Sequence, residues 1–518
     1  MSLDELQADP EPKASGWKLA LGPALAALVL VLGPGETAGV ARMAAIAVWM
    51  ATWWATEAVP IPVTALLPLV LIPAAGIQSM AELSPLYTRS TVFLFLGGFL
   101  LAIGLSESGV HRRFALGIVQ LVGGTPRRVI LGFMLASALL SMWISNTATV
   151  MVLLPIVLSV IEACQVEPKG EGFRTQLQRH FAIASLLAIA YAADIGGMAT
   201  LVGTPPNLVY AQQLNELFPG APVPSFAEWM TLGLPLSIVF LACGWLLLVF
   251  VLFRDLGGSL FGSDERLHEL RRALGPLRRD ELLGAATFAT CALLWITRVG
   301  LDFGAVVLPG WQDLPFVPPG KIDDATVAIA MAILLFMLPS KDRPGEHLLE
   351  WRMAKQVPWG MLLLFGGGFA LAEGFGASGL SSWVAGHFSA LAGAPPVVVI
   401  AVVCLVLTFL TEFTSNTATT QMVLPILAAA AVALGIDPRA LMIPATLSAS
   451  CAFMMPVASP TQAVVFSSGL VPIREMMRAG LWFNLLGVAL VVLFFALFGG
   501  PILGIDFGVL PDWATLAG

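Results

Sequence analysis

Apolar stretches separated by short polar loops recur along the whole of this 518-residue chain. A helix needs about 20 apolar residues to cross the hydrocarbon core of a bilayer. Eleven stretches are long enough for at least one crossing, and they lie near 17–34, 39–56, 60–76, 92–109, 180–216, 229–253, 281–298, 323–340, 360–379, 440–470 and 479–500. Two more, 129–163 and 396–434, are about twice the required length and carry a polar cluster at their middle. Each of these two could be a long broken helix or a hairpin that enters and leaves on the same side.

The positions of Lys and Arg distinguish a broken helix from a hairpin, because basic residues collect in cytoplasmic loops. With both stretches drawn as hairpins and a cytoplasmic N-terminus, the basic residues of the loops 164–179, 254–280 and 341–355 all lie inside. If 129–163 crossed the membrane fully, the arginine-rich loop 254–280 would move outside. The sequence therefore predicts an all-α polytopic membrane protein with about eleven transmembrane helices and two re-entrant hairpins. We expect it in the cell inner membrane, with its N-terminus cytoplasmic and its C-terminus external.

The chain also contains an internal repeat. The run FLGGFLLAIGLSESG at 95–109 resembles FGGGFALAEGFGASG at 365–379, and the run SNTAT at 145–149 returns at 415–419, with an offset of 270 residues in both cases. Five predicted crossings separate the first pair, so its two copies point in opposite directions. Such an inverted-topology repeat is typical of secondary transporters, whose binding site lies near the membrane midplane between the repeats.

A third pair of matching segments, 203–205 and 458–460, is offset by 255 residues. The 15 missing residues correspond to the polar linker 164–178, which the second half lacks. The predicted organisation is a cytoplasmic tail (1–16), a first helix outside the repeat (17–38), repeat 1 (39–253, with hairpin 129–163 and unwound helix 180–216), a cytoplasmic linker (254–280), repeat 2 (281–500, with hairpin 396–434 and unwound helix 440–470) and an external tail (501–518).

Composition agrees with a membrane protein, with 58% hydrophobic and 11% charged residues and a mean hydropathy of +0.87. A soluble chain would carry about a quarter charged residues. No basic stripe accompanies the net charge of −7, so the sequence gives no sign of nucleic-acid binding. The five cysteines are scattered without metal-ligand or disulfide spacing, and no two of the five histidines form a ligand pair. There is no GxxxxGK[ST] loop, which argues against an ATP-driven pump, and we expect no enzyme activity.

The polar clusters at the middle of the two hairpins suit ion and anion binding. Half-helices that meet at mid-membrane leave backbone groups unpaired, and such a turn persists only where protein, water or ligand satisfies them. Ser and Thr hydroxyls and Asn amides can donate to a carboxylate and offer oxygens to a hard cation. The helix that follows each turn points its positive N-terminus at an anion. Ser, Asn and Thr are also common helix caps, but two copies at one offset favour a binding site.

Two further segments, 194–207 and 456–462, interrupt predicted spans with glycines and prolines, which unwind a helix and free carbonyls for a cation. Neither hairpin contains Lys or Arg, and their only acidic residues are Glu162 and Glu412. A dianion at mid-membrane needs counter-charge. Co-bound cations and helix dipoles are the available source, which favours sodium coupling. Glu412, three residues before its turn, is expected to support that turn rather than to bind the anion.

At these motifs the sequence resembles the divalent anion/sodium symporters, a family that carries dicarboxylates, citrate or sulfate. The resemblance covers residues from about 40 to 500. It rests on WATEAVP at 54–60 with TALLP at 64–68, both SNTAT runs, GTPPN at 203–207 and the segment 453–459. It implies a homodimer in which a scaffold holds two transport domains that slide like elevators. It also implies sodium-coupled uptake of a di- or tricarboxylate, with a succinate-like C4-dicarboxylate favoured.

The resemblance further implies the binding residues. The first sodium site would use Ser141, Ser145, Asn146 and the carbonyl of Gly203, and the second would use Thr411, Asn416 and the carbonyl of Ala458. The substrate would contact Ser145, Asn146, Thr147, Thr204, Ser415, Asn416, Thr417 and Ser459. Ser141 and Thr411 are again 270 residues apart, so the repeat supports this assignment independently.

The chain departs from the family pattern at two places. Thr461-Gln462 stands where the family usually has Pro-Asn, and Asp194 stands where a small polar residue is expected. An ionisable side chain within a membrane span is a functional candidate, although a structural role at the helix break accounts for Asp194 equally well. The same fold is also compatible with a dicarboxylate exchanger, with a proton-coupled carrier, or with sulfate or citrate as substrate. An ion channel is disfavoured by the paired hairpins.

Overall fold

The computed structural model describes residues 16–33, 37–163, 176–256, 263–302, 307–315, 317–318, 320–388 and 395–514. Within these residues seven helices are long and apolar enough to cross a membrane, and four more apolar helices are shorter. The predicted all-α membrane fold is confirmed, whereas the number of crossings stays a prediction. The expected N-terminal tail and most of the linker 164–179 lie outside the described residues.

The first half begins with two packed helices and ends with a long helix that continues into a π-helical turn (Leu247–Leu252). Its helices are α1 (Gly16–Leu32), α2 (Ala38–Thr56), α3 (Ile61–Thr64), α4 (Pro68–Ala74), α5 (Met80–Leu83), α6 (Ser90–Ser108), α7 (Val110–Val122), α8 (Pro126–Ser141), α9 (Asn146–Ala163), α10 (Gln176–Gly197), α11 (Pro205–Leu217) and α12 (Phe226–Leu246), with a 3₁₀-helix at Ser84–Thr88.

The second half also ends with a long helix. Its helices are α13 (Ser263–Ala273), α14 (Arg279–Ile296), α15 (Asp324–Met337), α16 (Trp359–Ser378), α17 (Leu380–Phe388), α18 (Pro396–Leu410), α19 (Asn416–Ala433), α20 (Arg439–Ala449), α21 (Pro460–Ser467) and α22 (Ile473–Leu503), with 3₁₀-helices at Trp311–Asp313 and Trp351–Gln356. A two-residue hairpin of β1 (Leu301–Asp302) and β2 (Val307–Leu308) lies between α14 and α15.

Each half therefore contains a long helix, a short helix, a helical pair, a broken helix and a final long helix. In the first half these are α6, α7, α8 with α9, α10 with α11, and α12. In the second they are α16, α17, α18 with α19, α20 with α21, and α22. This order supports the internal repeat, while the opposite orientation of the two halves stays a prediction. The short helices α7 and α17 were not anticipated from the sequence.

Local sequence explains where the two helical pairs turn. Proline at the first turn of α8 and of α18 is compatible with a helix start, since its missing N–H needs no partner there. After the turn, the Ser145 hydroxyl accepts a hydrogen bond from the Ala148 N–H (3.3 Å), and the Ser415 hydroxyl accepts one from the Ala418 N–H (3.4 Å). Both serines therefore cap the second helix of their pair. Helices α8 and α9 pack against each other, and α18 and α19 both pack against α20.

The predicted spans differ from the helices at three places. The span 60–76 consists of the two short helices α3 and α4, because prolines at both starts interrupt the backbone hydrogen bonding. The span 180–216 is broken between α10 and α11, and the span 440–470 between α20 and α21. The last two interruptions were expected from the glycines and prolines of these segments, and they bring irregular backbone into the protein interior.

Helix α10 lies at the centre of the molecule. Every residue from Phe181 to Gly197 is buried, and α8, α9, α12 and α21 all pack against this helix. Gly196 allows the close approach of α8, since a Cβ at this position would lie 2.3 Å from the Ala138 carbonyl oxygen. The C-terminal end of α10 is thereby held against the turn of the first hairpin.

Candidate functional site

The predicted residues of the first sodium site lie together. The Ser141 hydroxyl donates to Asn146 Oδ1 across the hairpin turn. A Cβ on Gly197 would lie 2.7 Å from Asn146 Oδ1 and 3.0 Å from the Gly203 carbonyl oxygen. Hydroxyl, amide and carbonyl oxygens thus surround a small space that only glycine leaves open. These are the ligands that a hard monovalent cation prefers, so the residues present fit sodium.

Asp194 lies beside this group of oxygens, in the last turn of α10. Asn146 Nδ2 donates to Asp194 Oδ1 (2.9 Å). The other carboxylate oxygen, Oδ2, accepts from Thr461 Oγ1 (3.0 Å), from Gln462 Nε2 (3.0 Å) and, at 3.4 Å, from Ser459 Oγ. The carboxylate therefore joins the first hairpin to the break between α20 and α21, which belongs to the second half of the chain.

The break between α10 and α11 is held by side chains of its own half. Thr200 Oγ1 donates to the Met142 carbonyl oxygen in the hairpin turn (2.5 Å). Asn207 Nδ2 donates to the carbonyl oxygens of Thr200 (2.7 Å) and Gly197 (3.2 Å). These bonds satisfy carbonyls that the helix no longer pairs, as irregular backbone inside a membrane protein requires.

The break between α20 and α21 is held by Glu412, which lies in the turn before α19. Its carboxylate accepts from the backbone N–H groups of Phe453 (2.8 Å), Met454 (3.0 Å) and Met455 (3.0 Å). It also accepts from Asn484 Nδ2 of α22 (2.6 Å). Glu412 is 1% exposed. These contacts are those of a supporting residue, in agreement with the expectation from the sequence.

Matching positions are joined in the two halves. Met142 and Glu412 are 270 residues apart, and Thr200 and Met455 are 255 apart. In the first half the side chain of Thr200 donates to the backbone of Met142, and in the second the backbone of Met455 donates to the side chain of Glu412. The hairpin turn thus binds the neighbouring helix break in both halves, with the donor and acceptor groups supplied differently.

The same correspondence holds further along each break. Asn207 Nδ2 bonds the Gly197 carbonyl (3.2 Å), and Gln462 Nε2 bonds the Ala452 carbonyl (3.1 Å). Both pairs are related by the 255-residue offset. Gln462 therefore binds a carbonyl of its helix break, as Asn207 does in the first half. In addition, Gln462 donates to Asp194.

The predicted second sodium site is arranged differently from the first. The Thr411 hydroxyl donates to carbonyls of the preceding helix, α18, at 3.0 Å to Leu407 and 3.1 Å to Thr408, and its oxygen remains able to accept. Asn416 Oδ1 is buried without a hydrogen-bond partner in the described part of the chain. Ala458, whose carbonyl is the third predicted ligand, is buried. A buried oxygen that lacks a donor fits a cation ligand, because an unpaired buried acceptor is otherwise costly.

The hydroxyls of the predicted substrate residues fall into two groups. Three serines already make hydrogen bonds: Ser459 donates to Asp194, whereas Ser145 and Ser415 accept from backbone N–H groups and keep their O–H available to donate. The hydroxyls of three threonines make no hydrogen bond to any described residue; they are Thr147, Thr204 and Thr417. Thr204 directly precedes α11, and Thr417 is the second residue of α19. Both therefore lie near the positive N-terminus of a helix. Free hydroxyls at helix N-termini can donate to a carboxylate.

Basic side chains are absent from this region. The sequence has no Lys or Arg in 129–163, 180–253, 396–434 or 440–473. Among the described residues no group of three or more His, Cys, Asp or Glu side chains could hold a metal ion, so a transition-metal centre has no support there. The oxygens come from hydroxyls, amides and carbonyls instead, which is the chemistry of an alkali cation beside an anion.

Sequence reasoning found Ser141, Asn146, Asn416 and Asp194 but missed several residues that position them. Thr200 and Asn484 were not singled out, and Gly197 was identified only as part of the unwound segment 194–207. The contacts of Thr461 and Gln462 with Asp194 were not anticipated. The 255-residue offset pairs Thr200 with Met455 and Asn207 with Gln462, and it could have identified the corresponding helix-break contacts. Contacts between the halves have no such signal in a single sequence.

Comparison with known proteins gives a family match along nearly the whole chain. The model of the sodium:sulfate symporter transmembrane region matches residues 16–505. A sodium-dependent dicarboxylate transporter, SdcS, of Staphylococcus saprophyticus is 39% identical over 492 residues, which cover 94% of this chain and 92% of that protein. SdcS of Staphylococcus aureus is 40% identical over 463 residues, covering 89% of this chain and 86% of that protein.

Two solved structures are similar in fold at low sequence identity. The Alcanivorax borkumensis YdaH transporter has a TM-score of 0.57 and 14% identity, over 81% of this chain and 88% of that one. Neisseria gonorrhoeae MtrF, described with a class of antimetabolite efflux pumps, has a TM-score of 0.55 and 13% identity, over 80% of this chain and 83% of that one. At this identity the likeness concerns the fold alone.

Proposed function

Because the chain belongs to the divalent anion/sodium symporters, the family of the sodium:sulfate symporter transmembrane region, we propose that it carries dicarboxylates together with sodium. It is a multi-pass membrane transporter and not an enzyme. The observation that carries the proposal is the pair of Ser-Asn-Thr turns, each beside a helix break in a region without Lys or Arg. The names of the two Staphylococcus relatives support sodium as the coupling ion.

Sodium has a role at each turn. At the first, the oxygens of Ser141, Ser145, Asn146 and Gly203 receive one ion. At the second, Thr411, Asn416 and the carbonyl of Ala458 receive another. The preset oxygens of the first site and the unpaired Asn416 Oδ1 of the second support this assignment. A cation at Asn416 Oδ1 gives a buried acceptor the partner that it lacks in the protein.

The substrate lies between the two turns. The free hydroxyls of Thr147, Thr204 and Thr417 and the Asn amides donate to its carboxylates, and Ser459 borders the same space. A dianion taken from water into the membrane loses its hydration, so opposite charge must accompany it. Two sodium ions neutralise two carboxylates. Binding of the ions therefore raises the affinity for the substrate, and by reciprocity the substrate raises the affinity for sodium.

The route across the membrane is part of the proposal. We infer that the two helix breaks, which correspond through the internal repeat, border one site, and that alternating access follows when one rigid unit moves relative to the other. We propose that the unit containing both hairpins and both broken helices moves as an elevator against a scaffold, within a homodimer. The proposed location is the bacterial inner membrane, with the N-terminus cytoplasmic and the C-terminus external. A succinate-like C4-dicarboxylate is the proposed substrate.

Uptake of labelled succinate into proteoliposomes tests the transport class. With an inward sodium gradient we expect accumulation, and with an equal potassium gradient we expect only the background of protein-free vesicles. Uptake that ignores sodium and requires dicarboxylate inside the vesicles would instead establish an exchanger, and uptake driven by a proton gradient would establish a proton-coupled carrier.

Competition identifies the substrate within the same assay. Unlabelled succinate, citrate and sulfate are added outside at equal concentration under a constant sodium gradient. We expect succinate to compete most strongly. A stronger effect of sulfate or citrate would reassign the substrate without changing the transport class.

A further inference from the structure

The two departures of this chain from its family's pattern contact each other. Asp194 belongs to the first half and Thr461-Gln462 to the second, 267 and 268 residues away in sequence, yet both Thr461 Oγ1 and Gln462 Nε2 lie 3.0 Å from Asp194 Oδ2. Thr461 and Gln462, which follow the break between α20 and α21, thus both donate to the Asp194 carboxylate. Neither contact is used by the proposed binding of sodium or substrate.

The hydrogen bonds of Asp194 fix the orientation of the Asn146 amide. An Asn amide has a donor side and an acceptor side, and rotating it by a half-turn exchanges them. Asp194 Oδ1 can only accept from it, so Asn146 Nδ2 lies toward Asp194 (2.9 Å). Asn146 Oδ1 then faces Ser141, Gly197 and Gly203, which is the space of the proposed first sodium site.

The second half has no such restraint. The residue 255 positions after Asp194 is Ala449, which offers no acceptor. The side chain of Asn416, the counterpart of Asn146, makes no hydrogen bond with any described residue. One asparagine is therefore preset for a cation and the other is not. Two groups account for the difference: the Asp194 carboxylate accepts from Asn146 Nδ2, and the Ser141 hydroxyl donates to Asn146 Oδ1, whereas Thr411 donates to backbone carbonyls.

We propose that Asp194 is a positioning residue for the first sodium site and links that site to the second half of the chain. One carboxylate oxygen holds the Asn146 amide with its oxygen toward sodium. The other holds Thr461 and Gln462, next to the proposed substrate residue Ser459. This inference rests on the proposed function, because it assigns a cause to the sodium affinity of one of its sites.

Asp194→Asn tests the orientation directly, because the amide has almost the same shape. It has a single acceptor oxygen and cannot accept from Asn146 on one side and from Thr461 and Gln462 on the other. We expect the sodium concentration for half-maximal succinate uptake to rise roughly tenfold or more, as the loss of a charge-assisted hydrogen bond implies. The maximal rate at saturating sodium should change by less than about threefold, since the moving unit is otherwise intact.

A mutant cycle tests the link between the halves. The double variant Thr461→Pro with Gln462→Asn restores the family's usual residues. Proline removes the hydroxyl donor of position 461, and the shorter Asn side chain withdraws the amide donor of position 462 from residue 194. In this background Asp194→Asn should raise the half-maximal sodium concentration by less than about threefold, because coupled residues are not additive. An equal effect in both backgrounds would overturn the link.

Ser237→Ala is the matched control. The Ser237 hydroxyl donates to the carbonyl of Ile195, the residue after Asp194, and does not contact Asn146. Its loss disturbs α10 at the same level and should leave the sodium dependence within about twofold of wild type, as for a residue outside the coupled group. If Ser237→Ala raised the sodium requirement as much as Asp194→Asn, a general loosening of α10 would replace the positioning role.

A second measurement is independent of transport. Sodium should raise the thermal unfolding temperature of the purified protein, since a ligand that binds the native state stabilises it. Asp194→Asn should require more sodium for the same rise, and Thr461→Val, which keeps Asp194, should show a smaller change in the same direction. No response of the wild type to sodium would overturn the proposed function as well. A wild-type response that both variants retain unchanged would overturn this inference alone.

Discussion

Replacement of Glu412 by alanine should disrupt the second half of the site without touching any proposed ligand. The carboxylate accepts from three backbone N–H groups and from Asn484 Nδ2. Phe453 N–H keeps a partner in the variant, because it also bonds Asn484 Oδ1 (3.0 Å). The N–H groups of Met454 and Met455 and the Asn484 amide lose theirs. Three fully buried donors left unsatisfied would cost about 3–9 kcal/mol. This is an upper limit for the variant, because Met454 and Met455 are half-buried.

A loss of this size is a large part of the stability of a folded domain. We therefore expect Glu412→Ala to lower the unfolding temperature strongly, measured by intrinsic fluorescence of the purified protein, and to abolish sodium-dependent uptake. Glu412→Gln keeps one acceptor oxygen but turns an amide N–H₂ toward donors, so its effect should be intermediate. Asn484→Ala should cost less than either.

Glu162→Ala provides the matched control, since Glu162 is the other acidic residue of the hairpins and is exposed. Its removal should change stability by less than about 0.5 kcal/mol. If Glu412→Ala had the unfolding temperature and uptake of the Glu162→Ala control, the reasoning would be refuted. The N–H groups of Met454 and Met455 and the Asn484 amide would then have found other acceptors.

Two further predictions concern the ligands and the packing. Asn146→Ala and Asn416→Ala should each reduce sodium-dependent succinate uptake at least roughly tenfold, through loss of a buried cation ligand, and near-normal uptake in both would reject the proposed site. Gly196→Ala should destabilise the protein and reduce uptake, because its Cβ would lie 2.3 Å from the Ala138 carbonyl oxygen. Gly98→Ala, in α6 with open space around it, should be neutral or stabilising by up to about 1 kcal/mol in the same unfolding experiment. Equal behaviour of the two glycine variants would contradict the packing argument.

Much of the fold follows from local sequence. The two apolar stretches with central polar clusters become helical pairs whose turns lie at 142–145 and 411–415, because Ser145 and Ser415 are strong helix caps between apolar runs. The breaks in the spans 180–216 and 440–470 follow equally directly from their glycines and prolines. These features need no knowledge of what lies beside them in space.

The division of the span 60–76 into α3 and α4 was missed although its cause, the prolines at the two helix starts, is local. The other parts that the sequence did not predict are decided by distant neighbours. Glu412 could be identified as a supporting residue, but its actual partners, the amides near Phe453, are 41 to 43 residues away. Asp194 was equally compatible with a functional and a structural role, because the pattern on one helix does not reveal what the other half of the chain places against it.

The burial of α10 from Phe181 to Gly197 has a consequence for how the bilayer acts on this protein. Lipid-facing helices adjust their tilt when membrane thickness changes, at a modest cost for each ångström of mismatch. The most apolar windows of the helical segments Phe226–Leu252 and Ile473–Leu503 are only 39% and 28% buried, whereas that of Gln176–Gly197 is 94% buried. A change of membrane thickness is therefore expected to change the tilt of the outer helices. The oxygens at the end of α10 are shielded by protein on every side, and thinner or thicker lipid reaches them only through the packing of their neighbours.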